Sequence, residues 1–265
     1  MSIALLKHTV RKNWLLWLIF FAVLTMYLTI MIAMYDPEDM ESITSMLELF
    51  PEDMMKAMGF SQLVTDLTSY LASWLYGLLM LAFPMVYCVI LGHRLVAKKV
   101  DNGSFACYLS TPNSRVKLIT TLGVYALLSI IVLFTALFAV GVGFSELMLP
   151  GLLDIPQFLR LNVTVMLLNL AVIMMVFFFS CLFNDSALAT GFGAGLPIIF
   201  LLLNMLGGAS DRLEPLKKIT PYGWFDPIEL ARGEPTLLIN LVYGGLALVL
   251  FAAAIRVFHR KQLPI

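Results

Sequence analysis

Apolar and polar residues follow one another along this chain in long blocks. Six blocks carry no Asp, Glu, Lys or Arg: 14–35, 69–91, 118–142, 161–183, 186–206 and 236–255. At about 1.5 Å of rise per residue, about 20 apolar residues cross a hydrocarbon core of roughly 30 Å. Backbone groups in lipid must bond within their own segment, so each block predicts a helix. The dyad alternation of a membrane barrel is absent. The expected fold is all-α, a polytopic membrane protein with six transmembrane helices forming a single transmembrane domain over 1–265. Only Asn184 and Asp185 separate the fourth block from the fifth.

Composition agrees with the pattern. Of 265 residues, 60% are hydrophobic and only 13% charged, where a globular domain averages about 25% charged. The mean hydropathy is +0.92. A soluble fold of this size has too little polar surface to cover such a chain.

Charge sets the expected orientation. Six crossings place both termini on one side. That side holds Lys7, Arg11, Lys12, Arg94, Lys98, Lys99, Arg115, Lys117, Arg256, Arg260 and Lys261. The other side holds Lys56, Arg160, Arg212, Lys217, Lys218 and Arg232. The basic side is the cytoplasmic one by the positive-inside rule, so both termini are expected to be cytoplasmic. The apolar run after the basic segment 1–12 is too long for a cleaved signal. That segment reads as an N-terminal interfacial helix with Lys7, Arg11 and Lys12 toward lipid phosphates, or as a plain positive flank to the first span.

Three segments outside the blocks carry the remaining information. The external loop 36–68 is acidic and has apolar residues at helical spacing, which suits amphipathic helices over the outer mouth or a solvated face. The external loop 207–235 mixes Pro, aromatic and charged residues. It suits short helices at the interface, with Tyr222 and Trp224 at headgroup level. The cytoplasmic loop 93–117 reads HRLVAKKVDNGSFACYLSTPNSRVK. Two basic clusters flank a short helix-like piece, 103–109, and Asn102-Gly103 and Thr111-Pro112-Asn113 are turn signals. Such a loop either docks a partner or only sets topology.

The chemistry of common enzymes is missing. There is no GxxxxGK[ST], HExxH or CxxC. His8, His93 and His259 fall at span ends and read as headgroup contacts. Gly191 and Gly195 have the spacing of a close helix approach. Uncharged spans give no route for protons or coupling ions. Polar candidates for lining a cavity are Thr25, Thr29, Asn162, Asn169 and Asn204, a set suited to amphipathic cargo. Uphill transport through such spans needs energy from a partner.

In the 93–117 loop, Asp101, Gly103, Ser104, Leu109, Pro112, Ser114 and Arg115 stand in an order that resembles the membrane permease subunit of ABC type-2 transporters, the bacterial export branch. Asp101 replaces the commoner Glu of that pattern. The stretch ITPYGWFDPIEL, 219–230, is similar to the Pro-aromatic segment before the last span of many members. The resemblance implies that 103–109 is a coupling helix docking on a separate ATPase subunit, with Asp101, Gly103, Ser104, Leu109, Pro112 and Arg115 at the contact. It implies ATP and magnesium on that partner and no cofactor or catalysis in this chain. It implies a second permease copy or paralogue, a bacterial cell membrane and no nucleic acid partner. The expected activity is export of an amphipathic or hydrophobic substrate such as a drug, peptide or lipid. The alternatives are a non-transporting scaffold or sensor, and a lipid-acting membrane enzyme.

Overall fold

A computed structural model describes residues 2–37, 66–105, 114–209 and 213–261. Most of the acidic external loop, with Leu109 and Pro112, lies outside the described residues.

The first helix, α1, runs unbroken over Ile3–Ala33. The expected interfacial helix and first span are thus one rod. No Gly or Pro interrupts 3–33, so nothing in the chain ends the helix between them.

The second span departs further from expectation. Asp66 caps a short helix α2, Leu67–Leu71, by accepting from the Ser69 amide. One wider π-turn follows over Ala72–Tyr76, and the chain breaks at Gly77 and Leu78 before α3, Leu79–Leu95. The crossing helix starts at Leu79 and not at Ser69. Apolar residues flank the break on both sides, so hydropathy is blind to it. Val96 ends α3, and one more turn, α4, covers Ala97–Asp101.

Ser114 caps α5, Arg115–Met148, through the Lys117 amide. Asp154 caps α6, Ile155–Leu182, through the Gln157 amide. After a tight link at Phe183–Asp185 comes α7, Ser186–Ala209. Three short pieces follow: α8 at Glu214–Ile219, a 3-10 turn at Pro221–Trp224 and α9 at Pro227–Ala231. The last helix, α10, is Leu237–Arg260. Six of these helices are long and apolar enough to cross a membrane, and the described residues contain no strand.

α6 is the centre of the bundle, packed against α3, α5, α7 and α10. In its most apolar stretch 67% of residues are buried, against 17% in α1 and in α10. The peripheral helices therefore turn most of their apolar surface outward, as lipid requires. Small residues let neighbours come close to α6. A Cβ on Gly92 would meet Val176 Cγ1 at 2.7 Å. Gly193 faces the same valine, whereas Gly191 and Gly195 have nothing within 4 Å of a Cβ position. The close approach expected of that pair is made inside this chain by Gly92 and Gly193.

Candidate functional site

The basic end of the bundle gathers most of the chain's cations. α4 stops at Asp101, and the Gly103 amide then donates to the Val100 carbonyl at 3.1 Å. Gly103 takes φ +69°, a left-handed conformation, with open space around it. Glycine is needed there for backbone freedom and not for room. The Asn102 side-chain oxygen accepts from the Ser104 amide at 3.1 Å and from the Ser104 hydroxyl at 2.5 Å, which fixes the turn. Phe105 is then buried, its ring tilted against Phe258 of α10 at 5.1 Å. A capped turn pinned by one aromatic thus presents 101–104 outward, and Asp101, Asn102 and Gly103 are exposed. The structure brings Asp101, Gly103 and Ser104 together; Leu109 and Pro112, with most of the piece 103–109, fall outside what it describes.

Arg115 stands apart from that turn. Its Nη1 donates to the Lys261 carbonyl at 2.9 Å. The Lys261 ammonium in turn donates to the carbonyls of Cys181 at 3.0 Å and Phe183 at 2.5 Å. These belong to the last turn of α6 and the link after it, where helix carbonyls lack intrahelical partners. Residue 261 therefore ties the start of α5 to the end of α6. Burial pushes the Lys261 ammonium down to about 8, with the nearby Cys181 acting in the opposite direction.

His93 gains two partners within the protein. Its Nδ1 lies 2.8 Å from the Thr190 hydroxyl and its Nε2 3.3 Å from that of Ser186, so it joins α3 to α7. A histidine that looks solitary in the chain gains both partners only when α7 folds back beside α3.

Between α1 and α4 lies a recess of about 210 Å³. α1 contributes His8 and Lys12, α3 contributes Arg94, and α4 contributes Lys98 and Lys99. Lys99 is only 7% exposed. The i, i+4 spacing of His8 and Lys12 puts both on one face of α1.

At the opposite end, 213–233 forms a compact cap. The Lys217 ammonium pairs with Asp226 at 3.4 Å. The Tyr243 hydroxyl donates to the Pro221 carbonyl at 2.6 Å, and the Trp224 indole donates to the Lys218 carbonyl at 2.7 Å. Trp224 is partly exposed, and Tyr222 is 1% exposed and sits inside the cap. Under the cap a space of about 310 Å³ opens between Asn204, Leu81 and Phe225. The Asn204 Oδ1 is buried without a hydrogen-bond partner among the described residues.

The other polar candidates are placed differently. Asn162 is buried and donates to the Tyr76 hydroxyl at 2.9 Å. Asn169 is buried and donates back to Val165 of its own helix at 2.9 Å. The Thr29 hydroxyl donates to the Thr25 carbonyl at 2.9 Å. The Thr25 hydroxyl oxygen is buried with no partner among the described residues. Of the five, Asn204 faces the space beneath the cap.

A six-crossing helical bundle with a basic, turn-bearing end defines a multi-pass membrane protein. A description of the ABC-2 family transporter proteins matches residues 6–263. The chain belongs to the ABC-2 transporter family and is a membrane permease of an ABC transporter. Comparison with curated proteins and with solved structures finds no match.

Proposed function

We propose that this chain is the membrane half of an ATP-driven exporter in a bacterial cell membrane, with its basic end and both termini in the cytoplasm. The family match over almost the whole chain carries this reading. The exposed turn at 101–104 supports it locally. α4 and that turn, with the segment that follows to Arg115, are the surface on which a separate ATPase subunit docks. ATP and magnesium are held by that subunit. Two permease copies, identical or paralogous, sit above two ATPases. ATP-driven closure of the ATPase pair pushes the docked segments together, and the helices around α6 rock between inward and outward states. The substrate is amphipathic or hydrophobic, because the six apolar blocks within the crossings carry no Asp, Glu, Lys or Arg that would hold a coupling ion. The space beneath the cap, with Asn204 at its wall, is its point of release.

Pull-down in mild detergent tests the central claim. A P-loop ATPase is expected to travel with the tagged chain, and vesicles holding both are expected to accumulate amphiphilic cargo only with ATP. A chain that purifies alone, with no ATP-dependent cargo movement, sinks the proposal.

A further inference from the structure

Two runs of contacts meet at residue 261. α10 ends at Arg260, and Lys261 turns out of the helix into extended backbone, ψ 131°. Its amide still donates to the Phe258 carbonyl, but at 3.4 Å, longer than a well-formed bond. Helix geometry therefore does little to hold this residue. Its own side chain does the holding. The ammonium reaches the Cys181 and Phe183 carbonyls at the end of α6, and it lies 5.8 Å from the centre of the Phe258 ring. A cation suits that end of a helix, where unpaired carbonyl dipoles point outward.

The carbonyl of the same residue is the platform for Arg115. Arg115 opens α5 and closes the segment that follows the Gly103 turn. One turn back along α10, Phe258 receives the Phe105 ring. Phe105 and Arg115, on either side of that segment, thus rest on residues 258–261, within about one helical turn of each other on α10. Beyond Lys261 the path enters the core of the bundle. Phe183 supplies one of the carbonyls, and its ring stacks on Phe192 of α7 at 5.2 Å.

We infer that Lys261 is a positioning residue for coupling: it fixes the carbonyl that anchors Arg115, and so carries displacement of Arg115 into the ends of α6 and α7. This deepens the reading of the chain as an ATP-driven permease. An anchor tied by its side chain to α6 moves with that helix as one body. The same carbonyl on untied backbone would yield to the pull of Arg115, and the displacement would be lost.

Two measurements on the full chain test this. The first needs no ATPase. Spin labels at Val116→Cys and Leu182→Cys, both exposed positions, report the spacing between the start of α5 and the end of α6 in bilayer discs. The labelled chain also carries Cys107→Ser. Lys261→Met keeps the peptide carbonyl and loses only the ammonium. It is expected to broaden the distance distribution about twofold, and Lys261→Arg to leave it narrow. The second measurement is ATP hydrolysed per cargo moved, with the ATPase that co-purifies. Lys261→Met is expected to raise that ratio about fivefold, the effect on an equilibrium of losing one hydrogen bond, and Lys261→Arg to restore it. Phe134→Leu opens a cavity in the buried core about five turns along α5 from Arg115. It destabilises the bundle without touching residue 261, and the ratio is expected to change less than about twofold. An unchanged distribution or an unchanged ratio in Lys261→Met, or an equal rise in Phe134→Leu, overturns the inference. A chain that purifies without an ATPase sinks the functional reading, and the label distances then decide the tie by themselves.

Discussion

Arg115 and Lys261 lie 146 positions apart and share a hydrogen bond, guanidinium Nη1 to carbonyl oxygen at 2.9 Å. Lys261 then reaches the end of α6 with its own side chain. Lys261→Ala leaves the Cys181 and Phe183 carbonyls without that donor. It is expected to cost about 1–2 kcal/mol, read by thermal or denaturant unfolding in detergent. Lys261→Arg, which still donates, is expected to lose less.

The same lysine makes stability pH-dependent. Its proton is held more weakly in the folded chain, at about 8, than in the unfolded one, near 10.5. Between those values the unfolded state binds more protons, so stability rises with pH across that window. Below about pH 8 both states are charged and the slope vanishes. Half-exposure to water reduces the gain to about 1 kcal/mol. The deprotonated amine keeps its N–H donors, so the bonds to the carbonyls survive. Unfolding curves at pH 7.5 to 10.5 check this, and Lys261→Met is expected to flatten the rise.

Gly103→Val forces a β-branched side chain into left-handed backbone, at a cost of about 1–2 kcal/mol. Space is open there, so expression and bundle stability are expected to hold while the turn changes shape. ATP hydrolysis and cargo movement are expected to uncouple, and Gly103→Asn is expected to be milder. Undiminished transport by Gly103→Val would remove the turn from the coupling surface.

Phe105→Ala removes the ring that rests on Phe258. The expected loss is about 3 kcal/mol of local stability, the low end for a buried phenylalanine. Hydrogen exchange at 101–105 is expected to speed up, with little change in α6. ATPase association is expected to weaken in parallel.

Gly223→Ala tests the cap. An added Cβ would stand 1.8 Å from the Lys217 carbonyl oxygen, closer than any relaxed contact. The 3-10 turn must shift, costing about 1–3 kcal/mol. Trp224 is expected to lose its bond to the Lys218 carbonyl, which its fluorescence would report as a change in emission.

Six crossings were legible because lipid imposes one simple demand on sequence, length of apolar run. The same demand hides which helix lies at the centre. The apolar stretches of α5 and α6 are equally hydrophobic, yet 33% of one and 67% of the other is buried. Lipid and protein neighbours both accept Leu and Phe, so hydropathy does not distinguish them. The Gly103 turn was visible from Asn102-Gly103, a local signal. The Arg115–Lys261 bond, the His93 bridge and the Phe105–Phe258 contact were not, because each joins residues far apart in the chain. The break at Gly77 was masked by apolar neighbours on both sides.

The continuity of α1 has a mechanical consequence. A helix of 31 residues without a hinge behaves as a lever about 46 Å long. A tilt of about 10° around its middle swings its first turn by about 4 Å. His8 and Lys12 ride on that arm while Lys98 and Lys99 ride on α4. Displacement on that scale exceeds the reach of a hydrogen bond. Any rocking of the first helix in the bilayer therefore opens or shuts the recess at its base, with no intervening joint to absorb the motion.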